Sequence, residues 1–178
     1  QSPQDAARHF KEFLGRDVIE NGEISGLFFN YNDPLLDGWD KFIDYRFINS
    51  GDSKDRLLDE VLENVQEELG GPPENLIVLG FSQGVHTACR WVIAGDMPVN
   101  KLICWGAYPP DDLDRERGPG RLTDSGLILV RGLSDRRIME EDHHMQEERL
   151  SKMNIPFRTL THPGGHDLDP DLLQNLAE

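Results

Sequence analysis

The pentapeptide Gly80-Phe81-Ser82-Gln83-Gly84 is the segment of this chain best suited to covalent chemistry. A G-x-S-x-G sequence after an apolar run is typical of a sharp turn that presents a serine hydroxyl between a buried strand and a helix. Glycine at both ends of the motif removes the Cβ atoms that would collide with neighbouring backbone. The backbone N–H of Gln83, at the start of the helix, would be placed to bind an oxyanion.

A catalytic interpretation of Ser82 requires a base and an orienting acid, because G-x-S-x-G also arises by chance in loops. In enzymes built on such an elbow the acid follows the serine and the histidine comes last. Asp135 is the first carboxylate after the apolar run Gly126–Arg131, whereas Asp124 precedes that run and would lie at its wrong end. We therefore predict Asp135 as the acid, with a turn or helix-capping aspartate as the alternative.

Two histidines compete for the role of the base. His162 directly follows the last predicted strand, Phe157–Thr161, and precedes a proline that restricts its backbone. His166 follows two glycines on a loop that can reach across the strand ends, so we predict His166, with a surface loop histidine as the alternative. A metal site is a further alternative that no signature spacing supports. Its ligands would be His162, His166, Asp167 and Asp169.

The other histidines and the cysteines are assigned supporting or structural roles. His86 lies one turn beyond the elbow and is predicted to pack against or support the site rather than act as its base. His143 and His144 fall in a highly charged helical segment, which favours a solvated face. Cys89 and Cys104 lie in apolar stretches and are predicted to be small buried hydrophobic residues rather than a disulfide framework.

The elements that must position these residues alternate along the chain. Strands are predicted near Leu27-Phe28-Phe29 and at Leu76–Phe81, Lys101–Tyr108, Gly126–Arg131 and Phe157–Thr161. Helices are predicted from Ser2 to Gly15, from about Ser53 to Leu69, after Gly84, from Glu140 to Asn154 with Met145 and Leu150 inward, and from Asp169 to Leu176. The segment Asp111–Ser125 is predicted to be a polar loop. This alternation indicates one α/β domain, 1–178, with a mostly parallel sheet that helices cover on both faces.

Composition and charge narrow the class of protein. The 178 residues suffice for one domain with a substantial core. A formal net charge of −15 disfavours nucleic acids and anionic membrane surfaces as partners, and no apolar run could span a bilayer. The chain is therefore expected to form no stable membrane association, and a cytoplasmic setting is compatible with it, but the charge alone does not identify a small-molecule substrate. The sequence leaves a homodimer and an upstream targeting segment open.

The three motifs together resemble the phospholipase/carboxylesterase family of α/β-hydrolases, which includes the acyl-protein thioesterases. Leu79–Gly84 is similar to that family's G-F-S-Q-G-G elbow, Gly132–Ile138 looks like its G-x-x-D-x-x-V-P acid motif, and Gly165-His166 matches its histidine motif. The resemblance implies an α/β-hydrolase fold that needs no metal or other cofactor. It also implies a triad and one oxyanion donor, formed by Ser82, Asp135, His166 and the Gln83 N–H.

The chain departs from that family's pattern in three places. Val85 stands where a further glycine is usual, and Met139 replaces the proline of the acid motif. The family also has a first core strand that ends in an H-G-x-G-like loop, whereas this chain opens with residues that look like the segment after that loop. We therefore expect the first strand of the fold, with its second oxyanion donor, to lie upstream of Gln1.

The resemblance implies a serine hydrolase that cleaves carboxylic esters or thioesters through an acyl-enzyme. An aromatic stretch, Trp39, Phe42 and Tyr45, could form a wall of the acyl pocket, with ordinary packing under a loop as the alternative. Asp111–Ser125 could cover the site, and its few apolar residues favour short or medium acyl groups. Two other functions stay open, a non-catalytic binding protein on a hydrolase scaffold and a lysophospholipase-type lipid esterase.

Overall fold

The computed structural model describes residues 23–28, 58–59, 62–63, 66–67, 71–72 and 75–177. The predicted helix that starts at Ser2 lies outside these residues, as does the aromatic stretch of Trp39, Phe42 and Tyr45. Residues 58–59, 62–63 and 66–67 are helical, in agreement with the helix predicted from Ser53 to Leu69.

In the part of the chain that the structure describes, five strands form one parallel sheet in chain order, with every neighbouring pair parallel. They are β1 (Glu23–Phe28), β2 (Asn75–Phe81), β3 (Lys101–Trp105), β4 (Leu127–Gly132) and β5 (Arg158–His162). The sheet confirms the predicted strands within a few residues at each end. Since all five strands run the same way, their carboxyl ends meet at one edge, where ligands of such sheets bind.

Beyond the helical positions between β1 and β2, the described residues form four helices: α1 (Gly84–Ala94), α2 (Gly118–Asp124), α3 (Glu140–Lys152) and α4 (Pro170–Ala177). The carboxylate of Asp169 accepts a hydrogen bond from the N–H of Leu172 at 2.8 Å, so it caps α4 at the residue where the sequence predicts this helix to begin. Among the described residues, no helix combines the length and the apolar character that a membrane span requires.

Helix α2 corrects the prediction of a continuous loop over Asp111–Ser125. Its glycines and polar residues carry little helical signal, but tertiary contacts hold the segment. Leu122 is completely buried. Arg121 donates hydrogen bonds to the carbonyl oxygens of Val92 at 2.9 Å and Met97 at 2.7 Å. These contacts fix α2 against α1, so packing overrides a weak local preference.

Hydrophobic cores lie on both faces of the sheet. Leu76 and Val78 of β2 point to one face, where they pack with residues of α1, α2 and α3. Ile77 and Leu79 point to the other face, where they pack with α4. Each such side chain contributes roughly 1.5–3 kcal/mol when fully buried. The two cores hold the strand ends in fixed relative positions, as the site requires.

The cysteines follow the sequence prediction. Cys89 of α1 and Cys104 of β3 are both completely buried in the first core. Their Sγ atoms lie 3.8 Å apart as free thiols. Burial raises the pKa of the Cys104 thiol, which keeps it neutral and unreactive.

Helix α3 faces the core differently from the prediction. Leu150 is completely buried, as expected, but Met145 is 58% exposed and His143 is only 4% exposed. The predictions of an inward Met145 and a solvated His143 are therefore wrong. Residues seven positions apart share one helix face, so His143 follows Leu150 inward while Met145 points away. The exposed His144 agrees with its prediction.

Candidate active site

Ser82 lies on a sharp turn directly after β2. Its φ of 51° falls in the left-handed region that non-glycine residues seldom adopt, and its N–H donates to the carbonyl oxygen of Trp105 at 2.8 Å. A Cβ on Gly80 would lie 2.5 Å from the Cα of Val85. The turn therefore brings α1 so close to β2 that only glycine fits at Gly80, and it presents the serine above the sheet edge.

The side chains of three loops meet at this turn. His166 Nε2 lies 2.9 Å from Ser82 Oγ, and His166 Nδ1 lies 2.7 Å from Asp135 Oδ2. Ser82 follows β2, Asp135 follows β4 and His166 follows β5, so each side chain comes from the carboxyl end of a different strand. The structure thus brings together the three residues named from the sequence, in hydrogen-bonding contact.

Asp135 is the buried end of this group of three side chains. Its side chain is 1% exposed, and its Oδ1 accepts a hydrogen bond from the N–H of Arg137 at 2.8 Å. A carboxylate can only accept, so His166 Nδ1 carries the proton between them. Nε2 of the neutral ring is then an acceptor, and it takes the hydrogen bond of the Ser82 hydroxyl.

The ring of His166 is held by its neighbours. Its centroid lies 5.0 Å from that of Phe81. Gly106, directly after β3, has a φ of 67°, and a Cβ there would approach His166 Cε1 to 3.1 Å. The Trp105 indole N–H donates to the carbonyl oxygen of Asp167 at 2.9 Å, which ties the histidine loop to the end of β3. These contacts restrict the imidazole to the position facing the serine.

His162, the competing histidine, supports the loop instead. It ends β5 and is 3% exposed. Its Nδ1 accepts a hydrogen bond from the N–H of Gly164 at 3.2 Å, and its ring lies 5.3 Å from that of Trp105. Within the part of the chain that the structure describes, no three His, Cys, Asp or Glu side chains converge as metal ligands.

Gln83 begins the helix that follows the serine. Its φ and ψ of −57° and −27° are helical, so its N–H belongs to the positive end of α1. Among the described residues, this N–H donates to no acceptor. Because it lies next to Ser82 in the chain, it is placed for a negatively charged oxygen at the reacting centre.

A cavity of about 580 Å³ opens above Ser82 and His166. Its described walls are largely polar. Besides His166 and Tyr108, the charged and titratable side chains among them are His86, Arg90, Asp111, Asp112, Arg137 and Asp142. Arg90 pairs with Asp112 at 2.8 Å. Partial burial, with a smaller effect of Arg90, lowers the pKa of His86, so this histidine is neutral at physiological pH.

Sequence reasoning missed two further residues at this cavity. Gly106 and Tyr108 follow β3, yet the predicted strand ran through Tyr108, so neither was considered as part of a site. The glycine was the available signal, because a glycine directly after a buried strand often marks a close approach of another group. Here that group is the ring of His166.

No protein-family model and no curated protein sequence matches the chain. Solved structures do match. A ferulic acid esterase aligns with a TM-score of 0.54 at 12% identity, covering 87% of this chain and 81% of that one. MGS-M1, an alpha/beta hydrolase enzyme from a Medee basin deep-sea metagenome library, aligns with a TM-score of 0.52 at 16% identity, covering 91% and 84%.

A third match is SOBER1 from Arabidopsis thaliana, with a TM-score of 0.51 at 18% identity. The alignment covers 69% of this chain and 62% of SOBER1, so this chain spans less than two thirds of that protein's length. At these identities the likeness concerns the fold, and it confirms the expected α/β class with a parallel sheet between helices.

Proposed function

We propose that this chain, which has the α/β-hydrolase fold, is a serine hydrolase that cleaves carboxylic esters or thioesters of small to medium acyl groups. One observation carries the proposal: Ser82, His166 and Asp135 form a continuous contact chain, with distances of 2.9 Å and 2.7 Å. An alcohol, an imidazole and a buried carboxylate in this order can activate a nucleophile at neutral pH.

The chemical roles follow from the positions of the protons. Ser82 Oγ attacks the acyl carbonyl while His166 Nε2 removes its proton. Asp135 keeps the Nδ1 tautomer in place and stabilises the imidazolium that forms. His166 then returns the proton to the leaving alcohol or thiol, and an acyl-enzyme remains. Water, activated by the same histidine, hydrolyses this intermediate and releases the acid.

The tetrahedral intermediate places a negative charge on the former carbonyl oxygen. The N–H of Gln83 would donate to this oxygen, supported by the dipole of α1. Neither group needs to move during the reaction, because the turn at Ser82 fixes both. All of these steps are carried out by side chains and backbone groups, so the proposed reaction requires no metal or other cofactor.

The cavity supports small or medium substrates. Its walls carry the Arg90–Asp112 ion pair and the carboxylate of Asp111, which pairs with Arg149. A long alkyl chain laid against these groups would desolvate charges without replacing their contact with water. The charged walls therefore favour the esterase or thioesterase proposal over the lysophospholipase-type alternative.

An active-site probe tests the proposal directly. A fluorophosphonate should label full-length protein at Ser82, because the probe reacts only with an activated serine. Ser82→Ala should abolish the label while the circular dichroism spectrum stays the same. A folded wild-type protein that takes up no label would instead favour the non-catalytic binding protein.

The two histidines of the loop provide a matched pair of variants. His166→Ala should lower hydrolysis of a p-nitrophenyl ester on the order of a millionfold for a good substrate, since it removes the base. His162→Ala removes only a support of the loop, so turnover per folded molecule should fall far less. Activity that survives His166→Ala but not His162→Ala would reverse the assignment of the base.

A further inference from the structure

A second histidine-centred group of side chains lies behind the same cavity. The Tyr108 hydroxyl lies 2.7 Å from Nδ1 of His143, and His143 Nε2 lies 3.2 Å from Oε1 of Glu147. The Thr159 hydroxyl donates to the same Glu147 oxygen at 2.7 Å. We call these four residues the Tyr108 network. It joins the segment after β3 to helix α3 and strand β5.

The position of the protons in this network follows from the carboxylate. Glu147 can only accept, so it favours the proton of His143 on Nε2, the ring nitrogen that faces it. Nδ1 is then an acceptor, and Tyr108 must donate its only hydrogen to it. The phenolic oxygen has no hydrogen left for another partner, and its remaining capacity is to accept.

Tyr108 also stays protonated. Burial raises the pKa of its hydroxyl above the ordinary value, so it is not a phenolate and does not compete with His166 as a base. The segment that carries it is fixed on either side. Gly106 packs against the ring of His166, and Arg149 of α3 donates to the carbonyl oxygen of Pro109. Tyr108 is therefore a rigid part of the cavity wall.

Gln146 provides an independent observation on the same wall. It lies on α3 and lines the cavity together with Tyr108 and Ser82. Its Oε1 is buried, and no donor within the described residues reaches it. A buried carbonyl oxygen without a donor is costly, and because Gln146 lines the cavity, a rotation of its terminal amide would bring this oxygen to a ligand that supplies the hydrogen.

We infer that Tyr108 and Gln146 form a subsite that accepts hydrogen bonds from the substrate, so that the cavity selects esters or thioesters with a hydroxyl or N–H group near the scissile bond. The inference rests on the proposed hydrolase function. It adds the chemical class of substrate that the site prefers. It also assigns His143 and Glu147 as positioning residues, which keep the Tyr108 oxygen available as an acceptor.

Matched substrate pairs test this preference. One pair varies the leaving group, 2-hydroxyethyl butyrate against propyl butyrate. The other varies the acyl group, p-nitrophenyl 3-hydroxybutyrate against p-nitrophenyl 3-methylbutyrate. Within each pair the members have nearly the same size and differ in one hydroxyl. Wild-type protein should show a higher kcat/KM for the hydroxylated member of at least one pair; equal values in both pairs would overturn the inference.

Variants then identify the groups responsible. Tyr108→Phe and Gln146→Met should each lower the selectivity ratio about 3- to 10-fold, the effect of one lost hydrogen bond. The loss should appear in KM with kcat nearly unchanged, because the subsite binds ground state and transition state alike. Ser125→Ala is the matched control, since it removes a buried hydroxyl whose hydrogen bond to the carbonyl oxygen of Leu122 lies outside both the cavity lining and the Tyr108 network, and its ratio should stay within about twofold.

The outcomes separate this inference from the proposed function. If Tyr108→Phe and Gln146→Met keep the wild-type ratio while both react normally with the fluorophosphonate, the subsite is wrong and the hydrolase stands. If all three variants lower the ratio equally, general loosening of the wall replaces a specific subsite. If wild-type protein neither takes the label nor turns over any ester, the proposed function itself fails.

Discussion

Two histidines lie behind the same cavity, one on a loop and one on a helix. On the loop, His166 joins the hydroxyl of Ser82 to the carboxylate of Asp135. On helix α3, His143 joins the hydroxyl of Tyr108 to the carboxylate of Glu147. The residue types correspond in order, hydroxyl, imidazole and carboxylate, and yet the two groups are suited to different chemistry.

The difference lies in the surroundings of the hydroxyl. Ser82 is held on a strained turn with a φ of 51°, next to the backbone N–H of Gln83, which donates to no acceptor in the described structure. Tyr108 carries a phenol whose pKa burial raises, so it keeps its proton. The comparison teaches that the hydroxyl of such a group acts as a nucleophile only where it faces both a reacting carbonyl and an oxyanion donor.

Replacing the carboxylate of each group with an amide should give the largest difference in activity between the two groups. Asp135→Asn should lower kcat about ten-thousandfold, because an amide stabilises the wrong tautomer of His166 and no imidazolium. Glu147→Gln should lower turnover of the non-hydroxylated esters less than about tenfold, since it alters a wall of the site. Steady-state kinetics on both variants, with circular dichroism as a check of folding, measures the contrast.

Equal losses in the two variants would remove the distinction between the groups. Full activity of Asp135→Asn would show that another carboxylate orients His166. Asp167, which the loop carries next to His166, would then be the first residue to substitute.

A pair of glycine variants tests how the loop histidine is held. Gly106→Ala introduces a Cβ 3.1 Å from His166 Cε1, at a φ of 67°. Displacement of the imidazole should lower kcat/KM about a hundredfold. Gly126→Ala is the matched control, because Gly126 also has a positive φ, of 54°, but its Cβ would meet the carbonyl oxygen of Asn100, away from the cavity.

Both glycine variants should unfold more easily, by about 1–3 kcal/mol in urea titrations, because alanine disfavours the left-handed region. Only Gly106→Ala should lose activity per folded molecule. A similar loss of activity in both would indicate that general destabilisation, and not the position of His166, limits turnover.

The sequence predicted the group of Ser82, His166 and Asp135 well, because each of these residues follows a strand. Buried strands leave apolar runs that can be read directly, and the first polar residues after them mark the carboxyl edge of the sheet. Asp135 could be placed in this way before any geometry was known, because it is the first carboxylate after the apolar run Gly126–Arg131. The choice between His162 and His166 rested on the two glycines that let the loop turn back, and the structure brings His166 to the serine.

The sequence did not predict the group around His143 on helix α3, and the reason is again physical. His143 lies among acidic residues of α3, and such a segment predicts a solvated face. Its burial results from the contact with Tyr108, 35 positions earlier in the chain, which no local pattern reports. Helix α2 was missed for the same reason, since Leu122 and Arg121 stabilise it through contacts with α1.

The smallest expected effect concerns the pH dependence of stability that the helix histidine introduces. Burial lowers the pKa of folded His143 below its ordinary value of 6.5, and Arg131 adds to the shift. Other groups that face it are Glu140, His144, Glu147 and Tyr108. Below pH 6.5 the unfolded chain therefore binds more protons than the folded one, so the free energy of unfolding falls as the pH is lowered from 7.

His143→Gln should flatten this dependence between pH 7 and the lowered pKa of the folded state. It should also lower the free energy of unfolding at pH 8 by about 1–3 kcal/mol, since Tyr108 and Glu147 lose a partner. His86→Gln is the matched control: the pKa of His86 is lowered too, but its exposed position lets water weaken the effect. Urea titrations across pH measure both slopes. A wild-type slope in His143→Gln would show that this histidine does not cause the loss of stability at low pH.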